Sequence, residues 1–191
     1  ISLIRISGPG CFDVCSKIFF PSGRKIILAE QKGNQIIHGE IRDGNEVIDD
    51  VLLGIFKAPH SYTGEDSAEI SCHGSPYIVR RIMEMLIAKG ALTAFPGEFT
   101  QRAFLNGKMD LSQAESVADL VSSVTMASHR IAISQMRGGF SAEIVKLRSE
   151  LLRFVSLIEL ELDFGEEDVE FADRKELLQI VSRVKEIADK L

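Results

Sequence analysis

Residues 95–116 read FPGEFTQRAFLNGKMDLSQAES. The character of the chain changes across this stretch, so its reading decides the fold. Pro96-Gly97 forms a turn that leads into TQRAFL (100–105), about two helical turns. Asn106-Gly107 suits a left-handed C-terminal cap. Asp110, with Gln113 three residues on, has the spacing of a capping box that opens another helix. Lys108 is therefore held on a tight connector between two caps. As punctuation it joins two helices; as a side chain at a domain boundary it stands where ligand sites are common.

N-terminal to this point strands and helices interleave. LIRIS (3–7) reads as a strand, and Phe12, Cys15, Ile18 and Phe19 fall at helical spacing. FFPSGRK (19–25) reads as a turn. QIIHGEIRD (35–43) and EVIDDVLLGIFKA (46–58) read as strands of a hairpin about Asp43-Gly44-Asn45, with the apolar run VLLGIF as a central strand. APHSYTGED (58–66) is a loop. Residues 67–73 alternate, with Ser67, Glu69, Ser71 and His73 on one face and Ala68, Ile70 and Cys72 on the other. Ser75-Pro76 opens a helix whose buried stripe is Ile78, Ile82, Met85 and Leu86, and Gly90 ends it. ALTAF (91–95) reads as a further short strand. The fold class is α+β over residues 1–109, with a mixed or antiparallel sheet.

From Asp110 onward the pattern is helical. Leu111, Ala114, Ala118, Val121 and Val124 form a stripe, and Gly138-Gly139 interrupts it. A second helix carries Ile144, Leu147, Leu151, Phe154, Ile158 and Leu162 on most of its faces, so it must be surrounded. DFGEEDVEF (163–171) is an acidic connector. Asp173 and Glu176 have capping-box spacing, and Leu177, Ile180, Val181, Val184, Ile187 and Leu191 keep an apolar stripe to the last residue. A helix that ends on an open stripe calls for continuation of the chain or a covering subunit, and continuation is expected. The N-terminus starts without Met inside an apolar run, so residues upstream of Ile1 are expected too.

Composition limits the chemistry. The 191 residues are 45% hydrophobic with a net charge of −6. Residues 1–109 hold 12 Lys+Arg against 12 Asp+Glu, and residues 110–191 hold 10 against 16. Neither half has the basic footprint of a polyphosphate binder. No run of about 18 apolar residues could span a membrane, and no signal peptide is visible. Three cysteines, Cys11, Cys15 and Cys72, make no disulfide framework and predict reduced thiols in the cytoplasm. No G-x-x-x-x-G-K-[ST] motif is present, so no nucleotide site is visible.

The candidate side chains each have two readings. Glu69 is either part of a solvated sheet face or a carboxylate that accepts paired N–H donors of an amino-heterocycle. Arg5 interrupts an apolar strand, as a solvent-facing arginine or as a fixed fork for a ligand. Cys72 and His73 point to opposite faces of a strand and cannot form a dyad, so Cys72 reads as a buried thiol. Cys11 and Cys15 lack a third metal ligand and read as core. GEEDVE (165–170) lacks the ligand spacing of a calcium loop.

The motifs SLIRISGP, SYTGEDSAEISCHGSP, PGEFTQRAFLNGKMDLSQAESVADL, QMRGGFSAEIVKLR and IELELDFGEEDVEF occur in this order. Together they closely resemble the N-terminal part of the tRNA modification GTPase family called MnmE or TrmE, over nearly all 191 residues. One departure is His73-Gly74-Ser75, where the family often has His-Gly-Gly.

The resemblance implies a tetrahydrofolate-binding-like, dimerising domain at 1–109. It also implies the first half of an all-α helical bundle domain at 110–191, with an inserted G domain and a C-terminal half absent from this chain. It implies cofactor-binding roles for Arg5, Glu69 and Lys108, with no catalytic residue or metal ligand in this segment. The implied ligand is 5-formyltetrahydrofolate or another tetrahydrofolate derivative. GTP, magnesium and potassium belong to the absent G domain. The whole protein is implied to be a cytoplasmic, homodimeric GTP hydrolase. With the FAD-dependent partner MnmG (GidA), it would add an aminomethyl or carboxymethylaminomethyl group at carbon 5 of the wobble uridine of certain tRNAs. Two other readings stay open: a stand-alone folate-dependent one-carbon transferase, and a non-catalytic dimerisation module.

Overall fold

The computed structural model describes residues 1–23, 26–163 and 174–188. The chain divides into two compact units, Ile1–Met109 and Asp110–Leu191.

The first unit is α+β. Its strands are β1 (Ser2–Ser7), β2 (Phe19–Pro21), β3 (Gln35–Asp43), β4 (Glu46–Phe56) and β5 (Ser67–Cys72). They form one antiparallel sheet in the order β1-β5-β4-β3-β2, so β4 with its VLLGIF run is central. β3 and β4 are joined by a two-residue turn at Gly44-Asn45, with Gly44 at φ 60. Helix α1 (Cys11–Ser16) follows β1, and α2 (Pro76–Ala88) and α3 (Glu98–Leu105) follow β5.

Period-2 alternation gives the sheet one apolar face. Ile4, Ile41, Val51, Leu53, Ile55, Ala68, Ile70 and Cys72 are buried on it, together with Phe12, Cys15 and Ile18 and with Ile82, Met85 and Leu86 of α2. The other face carries Leu3, Arg5 and Ser7 on β1 opposite Ser71, Glu69 and Ser67 on β5. It also carries half-exposed Leu52 and exposed Ile36.

Three local expectations need correction. Residues 91–95 form no strand, because the helix ends on either side consume their amides. Ala91 N–H donates to Leu86 O at the end of α2, and Phe95 N–H donates to Glu98 Oε2 at the start of α3. Phe19–Pro21, expected in a turn, instead pairs with β3, at a sheet edge where proline is tolerated. Ser75 does stand at the N-cap of α2 with Pro76 behind it, but its side chain makes no capping bond.

The second unit is helical: α4 (Leu111–Ser122), α5 (Met126–Met136), α6 (Gly139–Asp163) and α7 (Arg174–Ala188). The capping box at Asp110 is complete, and Asp110 Oδ2 also accepts from Ser141 Oγ at 2.6 Å. That hydroxyl, and then the Gln113 amide, hold its carboxyl below the usual range. The helix expected to run to Gly138 breaks at Ser123–Thr125. Thr125 Oγ1 accepts from the Ser128 amide and starts α5, a cap that the continuing apolar stripe at Val124 conceals. Val121 and Val124 of that stripe are exposed, as are Val145 and Leu152 of α6. Within this unit the described α6 is therefore not surrounded. Asp173 and Leu191 and the acidic run 165–170 lie outside the described residues. Among the described residues no helix is long and apolar enough to cross a membrane.

Gly39 is the most closely packed of the described glycines. A Cβ there would stand 2.5 Å from both Phe19 Cζ and Phe20 O. Gly39→Ala should destabilise the first unit by about 1–3 kcal/mol, read as a lower urea midpoint with an unchanged slope.

Candidate functional site

β1 and β5 pair so that Arg5 stands directly opposite Glu69. Both project from the face away from the core. Arg5 Nε donates to Glu69 Oε1 at 2.7 Å, and Nη2 approaches the same oxygen at 2.6 Å. No hydrogen bond within the described residues occupies Glu69 Oε2 or Arg5 Nη1. The pair therefore keeps a free acceptor oxygen on Glu69 and free N–H donors on Arg5. The Arg5 guanidinium lies 5.4 Å from the Tyr62 ring and 5.6 Å from the Phe99 ring.

The third sequence candidate comes from the connector. Lys108 Nζ donates to Pro59 O at 2.8 Å, on the 58–66 loop that precedes β5. The cap anticipated at Asn106-Gly107 is present, with Gly107 at φ 69 and the Lys108 amide bonded back to Ala103 O. Asn106 also bonds outside the cap: its Nδ2 donates to Thr63 O at 2.8 Å. The caps thus place Asn106 and Lys108 side by side on one loop.

That loop is fixed from beneath by hydroxyl groups. Ser7 Oγ and Thr63 Oγ1 are 2.6 Å apart, and Ser67 Oγ donates to Ser7 Oγ at 2.8 Å. Thr63 and Ser67 are buried, so these bonds satisfy groups that would otherwise be costly. Ser67, expected on a solvated face, is the exception on its row. Ser7 also donates to Glu65, which accepts from Arg102 Nη1 at 3.3 Å. Arg102 Nη2 binds Glu98 Oε1 at 2.7 Å. The Phe95 amide first, and then Arg102, hold the Glu98 carboxyl below its ordinary range, and the Glu98 hydrogen bond raises Arg102 in turn. α3 is thereby bonded to the loop through charged groups.

Beside this arrangement a cavity of about 700 Å³ opens between β1, α2 and the 90–102 segment. Arg5 and Phe99 line it with Met83, Ile87, Leu92 and Phe95, whereas Glu69 and Lys108 do not. The structure thus brings Arg5 and Glu69 into contact and ties Lys108 to the same loop as Tyr62.

The remaining candidates are structural. Cys72 is buried, and burial first, then Asp49, pushes its thiol up. His73 does not engage it. Its Nδ1 lies 2.7 Å from Asp49 Oδ1, and its amide donates to Asp49 Oδ2 at 2.8 Å. Cys11 and Cys15 are both in the core, and the neighbouring Cys15 thiol first, and then burial, push the Cys11 thiol far up. No group of three or more metal-ligating side chains occurs among the described residues. Sequence reasoning passed over Tyr62, Phe99, Arg102 and Glu65. Only their places in SYTGED and in the helix 98–105 pointed to them.

Gly64 holds φ +79, and a Cβ there would meet Lys108 Cγ at 3.2 Å. Gly64→Ala should cost about 1–2 kcal/mol and displace Lys108. The check is a lowered thermal midpoint with faster amide exchange across residues 60–64.

Comparison with known proteins gives the family. The profile described as "GTP-binding protein TrmE N-terminus" matches residues 1–108, and that of the "MnmE helical domain" matches residues 111–191. A tRNA modification GTPase MnmE of Bacteroides thetaiotaomicron is 57% identical over 191 residues, covering 100% of this chain and 41% of the relative. Proteins of the same name from Flavobacterium psychrophilum and Parabacteroides distasonis are 56% and 52% identical, again over 100% of this chain and 41% and 42% of the relatives. The chain spans about two-fifths of the length of the curated relatives it matches. With its α+β first unit and helical second unit, the chain belongs to the TrmE/MnmE family.

Proposed function

We propose that this chain is the folate-binding part of a tRNA modification GTPase. Residues 1–109 are the ligand-binding and dimerising domain, and residues 110–191 are the first half of a helical domain. The Arg5–Glu69 pair carries this reading. A pterin presents a ring N–H and an exocyclic amine on one edge, with a carbonyl oxygen beside them. Glu69 Oε2 can accept from the first two, and Arg5 Nη1 can donate to the third. Opposite charges leave the pair neutral overall, which suits a neutral ring. Lys108, exposed and with its Nζ on Pro59 O, is a cation suited to the carboxylates of the folate's glutamate tail.

The flanking surfaces fit the same ligand. Tyr62 and Phe99 offer aromatic faces, and the adjoining cavity is lined mainly by apolar side chains. The bound folate, 5-formyltetrahydrofolate or another tetrahydrofolate derivative, supplies the one-carbon unit, and these residues bind and orient it. GTP hydrolysis with magnesium and potassium belongs to a G domain outside these 191 residues, which contain no P-loop motif. The whole protein is a cytoplasmic homodimer. It acts with MnmG on tRNA to place an aminomethyl or carboxymethylaminomethyl group at carbon 5 of the wobble uridine.

Calorimetry of the full-length protein with 5-formyltetrahydrofolate tests the reading. Glu69→Gln keeps the shape but presents an amide donor to the ring N–H, and should lower affinity at least about tenfold, equivalent to ~1.4 kcal/mol. A well-folded wild-type dimer that binds no folate would overturn it.

A further inference from the structure

We propose that Tyr62 and Phe99 are positioning residues that set the ligand selectivity of the Arg5–Glu69 pair, an inference that rests on the folate reading above. An ion pair on an open sheet face is weakly held. Long side chains there exchange rotamers, and water competes for every hydrogen bond. The Arg5 side chain is 37% exposed, so Glu69 alone does not pin it. The rings supply what the pair lacks. They come from different elements, Tyr62 from the 58–66 loop and Phe99 from α3, and both lie within 5.6 Å of the guanidinium carbon.

The two elements are latched at this point. Tyr62 Oη and Thr100 Oγ1, the hydroxyl next along the helix from Phe99, are 2.9 Å apart. The latch fixes the spacing of the rings and with it the plane of the guanidinium. A guanidinium fixed in its plane keeps Nη1, the nitrogen turned away from Glu69, in one direction while Oε2 of the carboxylate stays free. The result is a rigid donor and acceptor that a flat heterocycle can match edge-on, and that a flexible or ring-free ligand cannot exploit. The connector after α3 grips the same loop through Asn106 and Lys108. Ring clamp and tail-binding lysine are therefore carried on one support, although they contact different parts of the ligand.

The two roles separate experimentally. Full-length protein is titrated with 5-formyltetrahydrofolate and, separately, with p-aminobenzoylglutamate, which has the tail but no pterin. Tyr62→Leu and Phe99→Leu should each weaken 5-formyltetrahydrofolate about tenfold. They should leave p-aminobenzoylglutamate affinity and the thermal midpoint unchanged. Phe99→Tyr keeps both rings and the latch and should bind 5-formyltetrahydrofolate within about twofold of wild type, whereas Tyr62→Phe keeps the ring but loses the bond to Thr100 and should show a loss between those of wild type and Tyr62→Leu. Leucine variants that bind it as wild type does, or that lose both ligands in parallel, overturn the positioning role while leaving the folate reading intact where Glu69→Gln still weakens binding at least about tenfold. Wild-type protein that binds neither ligand overturns both.

Discussion

The antiparallel register of β1 on β5 is the constraint on which the rest depends. Ser2 faces Cys72 and Ser7 faces Ser67, so Ile4 falls opposite Ile70 on the buried face and Arg5 opposite Glu69 on the open one. A slip of one residue would turn Arg5 into the core and expose Ile4, and burial of an unpaired guanidinium makes that register inaccessible. The hydrophobic core thus selects the register, and the register alone sets two opposite charges side by side. Site and core are two faces of one pairing decision.

What the sheet places, the loop and connector then secure. The hydroxyls of Ser7, Thr63 and Ser67 bond one another at the junction of loop and strands. Individual neutral hydrogen bonds contribute only about 1 kcal/mol each, but these are buried, where leaving one unmade is expensive. Charged groups do the same work at the surface, where Arg102 bridges Glu65 and Glu98. α3 is therefore tied to the loop, and the cap at Asn106 and Gly107 fixes where α3 ends. The punctuation at 105–110 both ends a helix and sets the reach of Lys108.

Much of this arrangement was legible in the sequence. Strict alternation over 67–73 put Glu69 on the polar face, the run 51–56 marked the central strand, and the capping box at Asp110 formed with both bonds present. Arg5 and Glu69 were singled out separately, but their contact was not legible, because it is created by pairing between positions 64 residues apart. Tyr62 and Phe99 left no periodic trace, since a ring over a guanidinium is a tertiary event. The strand expected at 91–95 failed for a physical reason: a segment whose amides are used by the helix ends around it has fewer donors left for a ladder. The break at Thr125 was hidden because Ser rather than Glu or Gln completes its box.

In the folate reading, Arg5 and Glu69 form a reading device for a ligand and not merely a strand-pairing contact. Exchanging the charges, Arg5→Glu together with Glu69→Arg, tests it most directly. A cross-strand pair is nearly indifferent to which partner carries which sign, whereas a pterin edge is not. Each single reversal should lower the thermal midpoint by a few degrees, in line with an exposed pair contributing about 0.2–1 kcal/mol. The double exchange should recover that midpoint while 5-formyltetrahydrofolate binding stays lost. Recovery of both stability and folate affinity in the exchanged protein would contradict the account.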